Sequence, residues 1–228
     1  MKVFRNMLCV LSAFICVHNA HAVTIGPGDI YQQPTYERFS IDDINLLPGG
    51  VIAQRDDGKN TWFNSAQASY TVSGGTVNAN ILFDQGQVDI SGGIFNQFEI
   101  INRSVSVAIS GGTFNSGLII DNLGTGATLD ISGGIFNTPL AIRQFQGDLI
   151  ISGGYLINGV SIFNSFIPGS LSTATFIGSD WYLGNTPLVF SGNNTFDLTG
   201  QIGYLNGTLA DGNTFGIGIH GASQGTVI

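Results

Sequence analysis

The sequence predicts an all-β protein, a single-stranded parallel β-helix with coils of about 20 residues. Three observations predict this fold. A hexapeptide that begins Ser-Gly-Gly occurs five times in related forms. Apolar residues alternate with other residues just before each copy, and an apolar residue stands two positions after each glycine pair. Glycine accounts for 33 of the 228 residues, and the repeats show no helical apolar period. Short strands separated by glycine corners therefore describe the chain better than helices do.

The Ser-Gly-Gly copies begin at Ser73, Ser91, Ser110, Ser132 and Ser152, in steps of 18, 19, 22 and 20 residues. Repeats at this period indicate a solenoid, in which each repeat forms one coil and neighbouring coils bury a shared core. The glycine pair predicts a tight corner, because glycine tolerates positive φ and has no side chain to collide with the next coil. A leucine-rich repeat has a similar period, but the core positions here hold isoleucine, valine and phenylalanine.

Each coil carries three apolar segments, which we interpret as three short strands. The first segment alternates apolar and polar residues, as in a strand with one buried face, at Tyr70/Val72, Val88/Ile90, Val107/Ile109, Leu129/Ile131 and Leu149/Ile151. The second follows the glycines and predicts an internal stack of Val77, Phe95, Phe114, Phe136 and Leu156. The third comprises the pairs Ile81/Phe83, Phe98/Ile100, Leu118/Ile120, Leu140/Ile142 and Val160/Ile162.

Two further positions can be compared from coil to coil. An asparagine follows the buried position in four coils, and stacked amides hydrogen-bond along the axis of such ladders: Asn78, Asn96, Asn115 and Asn137. The residue directly after the glycines varies, as Thr76, Ile94, Thr113, Ile135 and Tyr155. This series is not the regular threonine face that an ice-binding surface needs.

Residues 1–22 are predicted to form a signal peptide. Two basic residues precede an apolar run over 7–17, and Ala20 and Ala22 flank His21 in the pattern of a signal-peptidase site. The run is too short to span a bilayer. We expect cleavage after Ala22 and export to the periplasm, the cell surface or the extracellular space, with no transmembrane segment in the mature chain. Both cysteines would leave with the signal peptide.

The remaining chain divides into three predicted parts. We assign 23–43 to an N-terminal cap, 44–163 to the β-helix repeats, and 164–228 to degenerate coils with a C-terminal β cap. Residues 188–197 are interpreted as one degenerate copy of the repeat. Caps are expected because the end coils of an open solenoid would otherwise expose strand edges.

The charge of the mature chain excludes one class of partner. Five basic and 15 acidic residues give it a formal charge of −10, and no lysine or arginine follows Arg143. Nucleic-acid binding needs clusters of basic residues that pair with phosphates. We therefore expect no nucleic-acid partner, and an anionic membrane surface is disfavoured for the same reason.

The five Ser-Gly-Gly corners and the aligned apolar ladders over 44–163 resemble the bacterial exported right-handed β-helix proteins. That group includes pectate-lyase-like folds and filamentous adhesins. The resemblance implies the fold and export. It implies no particular activity, because this fold hosts many functions.

Asp121 and Arg143 occupy matching positions in neighbouring coils, and Arg103 lies one coil before Asp121. Polysaccharide lyases of the fold class that the chain resembles use arginine and acidic side chains that project from one sheet. The resemblance therefore makes these three residues the catalytic candidates if the protein is an enzyme. A surface ion pair between adjacent strands is the other interpretation.

Asp56 and Asp57 are the candidates for a metal site, because carboxylate oxygens suit Ca²⁺. We favour a hydrophilic Asp-Gly turn instead, since the spaced acids of a calcium loop are missing. The repeats contain no cysteine or histidine, which excludes a Ser-His-Asp or Cys-His arrangement and a histidine zinc site there. We expect no cofactor.

We predict a non-enzymatic exported β-solenoid that acts as a surface, matrix or adhesion protein. Its expected partners are a polysaccharide or other cell-surface polymer, or another copy of the chain. Charged residues form 10% of the sequence, whereas a catalytic cleft needs convergent titratable groups. The alternative is a carbohydrate-active β-helix enzyme, a polysaccharide lyase or hydrolase. Trp62, Trp181 and Tyr182 form either a sugar-stacking platform or part of the core.

Overall fold

The computed structural model describes residues 22–32, 43–58, 61–63, 69–83, 85–97, 99–101, 104–116, 119–121, 126–143, 147–157, 160–163, 173–190, 195–219 and 226–228. The predicted signal peptide lies outside these residues except for Ala22. All regular elements in the described ranges are β-strands. They stack mainly in parallel as a β-solenoid whose turns lie roughly 21 residues apart, which confirms the predicted fold class.

Strands from successive turns form three columns. The first column holds β1 (Ala22–Ile25), β3 (Asp43–Leu46), β6 (Ser69–Val72), β9 (Gln85–Ile90), β12 (Ser104–Ile109) and β19 (Thr173–Phe176). The second holds β2 (Ile30–Tyr31), β4 (Val51–Ile52), β7 (Thr76–Val77), β10 (Ile94–Phe95) and β13 (Thr113–Phe114). Two longer strands pass through the Ser-Gly-Gly corner and belong to both columns: β15 (Thr128–Phe136) and β17 (Asp148–Leu156).

The third column holds β5 (Thr61–Phe63), β8 (Ile81–Phe83), β11 (Glu99–Ile101), β14 (Ile119–Asp121), β16 (Leu140–Arg143) and β18 (Val160–Phe163). Within it, β5 pairs with β8, and a second parallel ladder consists of β11, β14, β16 and β18. Ile120 pairs with Ile100 and Ile142, as the alignment of the apolar pairs predicts. Three strands per turn are therefore present where the sequence places three apolar segments.

The core runs along the solenoid axis and contains the predicted phenylalanine stack. Phe95, Phe114 and Phe136 are each at most 1% exposed. The ring centroids of Phe95 and Phe114 lie 4.6 Å apart, and those of Phe114 and Phe136 lie 4.7 Å apart. The ring planes are nearly parallel, with interplanar angles of 11° and 4°. Their spacing is that of hydrogen-bonded strands, so the in-register backbone fixes the geometry of the stack.

The predicted asparagine ladder is also present. Asn96 Nδ2 donates to Asn78 Oδ1 at 2.8 Å, and Asn115 Nδ2 donates to Asn96 Oδ1 at 2.9 Å. Asn137 Nδ2 continues the series by donating to Asn115 Oδ1 at 2.8 Å. Every donor points toward the N-terminal end of the solenoid, and all four side chains are exposed.

The two glycines of each corner are required for different reasons. A Cβ atom on Gly111 would lie 2.3 Å from the carbonyl oxygen of Ser91 on the preceding turn, which is closer than atoms can pack. Gly112 has a φ of 95°, a conformation that L side chains rarely adopt. The first glycine therefore permits close approach of the turns, and the second permits the change of direction.

The segment assigned to an N-terminal cap contains a further rung of the solenoid. β1 pairs in parallel with β3, and Ile30 of β2 pairs with Val51 of β4. The corner between β1 and β2 contains Pro27-Gly28 instead of Ser-Gly-Gly, and Gly28 N–H donates to the Gly49 carbonyl at 3.1 Å. Residues 33–42 lie outside the described ranges. The parallel stack thus begins by residue 22.

The C-terminal region departs from the parallel pattern. Six of the described strands take part in antiparallel pairs: β20 (Gly178–Leu183), β21 (Thr186–Pro187), β22 (Phe196–Asp197), β23 (Gly203–Leu209), β24 (Thr214–Ile219) and β25 (Thr226–Val227). β25 (Thr226–Val227) pairs in parallel with β19, and β24 joins β18 through Ile217 and Val160. β22 runs antiparallel to β25, so the described part of the predicted copy at 188–197 contributes an antiparallel strand at Phe196–Asp197.

Candidate functional site

A line of outward side chains runs the length of the second column, and we call it the outer stripe. Its members pair in register from rung to rung. They are Ile30, Val51, Thr76, Ile94, Thr113, Ile135 and Tyr155. Because side chains alternate along a strand, the neighbours of these residues point into the core. The outer stripe is thus the exterior counterpart of the phenylalanine stack.

The outer stripe exposes apolar surface. Ile94 is 45% exposed, Ile135 44% and Tyr155 50%. An isolated exposed apolar side chain is ordinary. On the outer stripe, Ile135 and Tyr155 occupy adjacent rungs about 4.8 Å apart, whereas the half-buried Thr113 lies between Ile94 and Ile135. Contiguous exposed apolar surface, as at Ile135 and Tyr155, is typical of a binding site.

An open groove of about 480 Å³ lies beside the outer stripe. Its floor consists of corner glycines between Gly92 and Gly154, and Thr113, Ile135 and Tyr155 form part of its lining. Backbone is accessible along this floor because the glycines carry no side chains. On the other side of the outer stripe, two residues further along each strand, runs the asparagine ladder. The second column therefore presents, side by side, a backbone floor, a row of outward apolar and threonine side chains, and a row of amides.

The turn between β23 and β24 packs on the last Ser-Gly-Gly corner and closes one end of the groove. Asp211 Oδ2 accepts a hydrogen bond from Gly154 N–H at 2.5 Å and from Asn213 Nδ2 at 2.8 Å. Asp211 Oδ1 accepts one from Asn213 N–H at 3.0 Å. Partial burial acts to raise the pKa of Asp211, but the hydrogen bonds from Gly154 and Asn213 outweigh it and the pKa is lowered. Asp211 is therefore ionised at neutral pH.

Two of the catalytic candidates, Asp121 and Arg143, lie on the third column, whereas the groove lies beside the second. Asp121 at the end of β14 pairs in register with Arg143 at the end of β16. The backbone thus places the two positions one rung apart, as their matching places in the repeat indicate. Arg103 lies outside the described residues, so a catalytic role for the three stays a prediction.

The acids of the candidate metal site have other partners. Asp57 forms a bidentate pair with the buried Arg55, with Nη2–Oδ2 and Nε–Oδ1 distances of 3.1 Å. Asp56 Oδ1 accepts a hydrogen bond from Gln32 Nε2 at 2.9 Å. The chain turns here, since Gly58 N–H donates to the Arg55 carbonyl at 2.9 Å. These contacts favour the turn interpretation. In the described part of the chain, no three His, Cys, Asp or Glu residues are grouped to hold a metal ion.

The aromatic candidates divide between the core and the surface. Trp181 is 2% exposed, and its ring lies 6.1 Å from that of Phe215 and 6.4 Å from that of Phe176. It therefore belongs to the core of the C-terminal region. Tyr182 is 38% exposed, and the side chain of Trp62 lies outside the described part. Sequence reasoning missed Tyr155 as a surface aromatic, although strand alternation beside Leu156 indicates that it points outward.

Asp211 and Asn213 were also missed from the sequence. They lie 57 and 59 residues after Gly154, in a turn without the repeat motif. Across the ranges that the structure describes, no helix is long and apolar enough to cross a membrane. Comparison of the chain with protein-family models, curated proteins and solved structures finds no match. The fold and the geometry of the second column are therefore the basis for a functional proposal.

Proposed function

We propose that this chain is an exported, non-enzymatic β-solenoid of the surface, matrix or adhesion type, which binds an extended uncharged polysaccharide along its second column. The observation that carries the proposal is the outer stripe, a row of outward side chains on seven successive rungs beside an open backbone floor. A polymer laid along the solenoid axis meets equivalent groups at each rung. Weak contacts repeated in this way add up to useful affinity without any deep pocket.

The dimensions of the outer stripe favour a narrow ligand over a second copy of the chain. Its seven rungs span about 29 Å at strand spacing. A strip of that length and about 10 Å wide covers roughly 300 Å² on each partner, whereas a stable protein–protein interface covers about 800 Å² on each. A single polysaccharide strand needs no wider surface. Self-association through this face is accordingly the weaker alternative.

Charge favours an uncharged ligand. The mature chain has a formal charge of −10, and Asp211 supplies a negative charge at one end of the groove. An acidic polysaccharide would meet like charge both at the groove and at longer range. Hydroxyl groups of a neutral polymer can instead bond the asparagine amides and the glycine backbone.

The chemistry of the groove favours binding over catalysis. A general acid or base works best with a pKa near the operating pH. Asp211, the carboxylate among the residues described as lining the groove, has a lowered pKa and accepts three hydrogen bonds. Asp121 and Arg143 on the third column remain the residues of the alternative, a lyase or hydrolase. Export and a bacterial source are inferred from the N-terminal segment and from the resemblance described above.

Native gel electrophoresis in the presence of dissolved polymer tests the proposal. We expect one or more neutral polysaccharides, among hydroxyethylcellulose, dextran, laminarin and galactomannan, to retard the protein more than alginate or polygalacturonate does. Ile135→Asp, which places a charge in the outer stripe, should abolish retardation. Ile202→Asp is the matched control, because Ile202 is 76% exposed and lies away from the groove.

Two results would contradict the proposal. One is the absence of retardation by every polymer in the panel. The other is release of unsaturated or reducing sugar ends by the protein, abolished in a folded Arg143→Ala variant, since that outcome identifies an enzyme.

A further inference from the structure

The closed end of the groove brings together an aromatic ring, a carboxylate and an amide from two distant parts of the chain. We propose that Tyr155, Asp211 and Asn213 form a subsite for the terminal sugar of an uncharged glycan. This inference rests on the proposed function and deepens it, because it assigns a place and an orientation to the end of the bound polymer.

Tyr155 supplies a stacking surface. It is the last member of the outer stripe, is 50% exposed and lines the groove. A pyranose ring has an apolar face of C–H groups, which packs against an aromatic ring and removes apolar surface from water. Ile135, one rung earlier, continues the apolar strip from the tyrosine ring. A glycan that follows the outer stripe therefore reaches Tyr155 last.

Asp211 supplies a hydrogen-bond acceptor in a fixed position. A carboxylate has about four lone-pair sites, and three of them receive hydrogen bonds from Gly154 and Asn213. Oδ1 accepts one of these bonds, from Asn213 N–H, and Oδ2 accepts the other two. A hydroxyl group that donates to Oδ1 forms a charge-assisted hydrogen bond, which is stronger than a neutral one. Because the bonds to Gly154 and Asn213 hold the carboxylate, binding does not need to order it.

Asn213 adds a donor and an acceptor beside the carboxylate. One N–H of its amide bonds Asp211 Oδ2, and an amide carries a second N–H and a carbonyl oxygen. Sugar hydroxyl groups both donate and accept hydrogen bonds, so a neighbouring carboxylate and amide can bond two adjacent hydroxyls of one sugar. The aromatic ring thus suits the apolar face of a pyranose, and the carboxylate and the amide suit the hydroxyl groups at its edge.

The subsite suits a chain end because the groove stops there. The floor of corner glycines runs to Gly154, where the β23–β24 turn lies across it. A Cβ atom on Gly153 would lie 2.8 Å from Asp211 Oδ2, which shows how closely the turn contacts the corner. A polymer that follows the floor meets this turn, so its last sugar rests at Tyr155.

Isothermal titration calorimetry with neutral hexasaccharides tests the subsite on the whole exported chain. The probes are cellohexaose, laminarihexaose, mannohexaose and maltohexaose. For the one that binds best, we expect Tyr155→Ala and Asp211→Asn each to weaken binding about tenfold, equivalent to about 1.4 kcal/mol. Tyr204→Ala is the matched control and should bind within about twofold of the wild type, since Tyr204 is an exposed tyrosine outside the groove.

A chain-end subsite also predicts that affinity per polymer chain stays constant when the glycan is lengthened beyond the outer stripe. Affinity that rises in proportion to polymer length would overturn the assignment to a terminal sugar. So would unchanged binding by Tyr155→Ala and Asp211→Asn variants that melt like the wild type. If Ile135→Asp still abolishes binding in that case, the proposed function stands and the subsite alone fails. Binding of no neutral glycan at all removes both.

Discussion

The repeated turns over 69–157 and the C-terminal region over 173–228 use different rules of packing. In the repeats, the same residue type recurs at the same place on each turn. Its neighbours above and below are copies of itself, as in the parallel stack of Phe95, Phe114 and Phe136. In the C-terminal region, β19 and β25 pair in parallel, but the other described strand pairs within it are antiparallel. Unlike aromatic residues meet there at inclined angles, 37° for Phe176–Phe215 and 77° for Trp181–Phe215.

This difference shows what sequence repetition determines. In a parallel in-register stack, the backbone hydrogen bonds fix which side chains are neighbours. A residue type that recurs at the same place in each repeat therefore forms a ladder of contacting side chains. Where the repeat stops, neighbours are selected by shape and by turn geometry, and the sequence pattern no longer identifies them. Stability should accordingly depend on nearest-neighbour terms in the repeats and on individual contacts in the C-terminal region.

The largest expected effect comes from breaking a repeat corner. Gly111→Val places a side chain where the Ser91 carbonyl oxygen already lies, at 2.3 Å from the Cβ position. We expect destabilisation of about 4 kcal/mol or more, or failure to fold. Gly26→Ala is the control, because the nearest atom to its Cβ position lies 3.6 Å away. Chemical denaturation measures both variants, and a Gly111→Val protein as stable as Gly26→Ala would contradict the close approach of the turns.

Truncation of a buried ring compares the two regions directly. Phe114→Ala and Phe176→Ala should each cost about 3–5 kcal/mol, because each removes a fully buried ring. Their consequences should differ in extent. Hydrogen exchange should quicken in the turns on both sides of Phe114, since each depends on its neighbours. For Phe176→Ala it should quicken mainly in the C-terminal strands. Identical exchange patterns in the two variants would show that the regions unfold as one unit.

The asparagine ladder predicts a smaller, graded effect. Asn115→Ala removes two ladder hydrogen bonds and Asn137→Ala removes one. At about 0.5 kcal/mol for each exposed bond, the low end of the usual range, Asn115→Ala should cost about twice as much as Asn137→Ala. Urea titration of the two variants measures the ratio. Equal costs would mean that the ladder contributes no hydrogen-bond stability.

The smallest effect should come from the pH dependence of the contact between Asp211 and Gly154. Its lowered pKa means that the folded state favours the charged carboxylate. The resulting stability is therefore present above the ordinary pKa of 3.8 and is lost as the pH falls through the lowered value. Asp211→Asn should remove this part of the acid sensitivity, while Asp197, whose pKa is also lowered, keeps its own share. Melting curves at acid pH that coincide after subtraction of a constant offset would contradict the assignment.

Much of the solenoid was predictable from the sequence, because register and repeat coincide. The positions of Phe114 and Asn115 in the ladders follow from alignment on the Ser-Gly-Gly corners alone. The first rung did not follow, since Pro27-Gly28 forms its corner without the motif. The antiparallel strands of the C-terminal region were likewise unpredictable in register, because they carry no repeat to align.

The candidate site was predictable only in part. The outer stripe follows from strand alternation, which places Tyr155 outside once Leu156 is inside. The groove did not follow, because its closed end depends on a contact between Gly154 and Asp211, 57 residues apart. Such a contact is set by how the β23–β24 hairpin folds back over the solenoid. The local sequence around Gly154 or Asp211 does not predict that these two residues are in contact.

Pulsed electron paramagnetic resonance on the outer stripe tests the parallel stack most directly. Spin labels on Tyr155→Cys paired with Thr76→Cys, Val51→Cys or Ile30→Cys, in a background without native cysteines, span four, five and six rungs. We expect backbone separations of about 19, 24 and 29 Å at strand spacing. The step from Val51 to Ile30 should equal the step from Thr76 to Val51, although the first spans 21 residues and the second 25. Distances that grow with the number of residues instead of the number of rungs would contradict the solenoid.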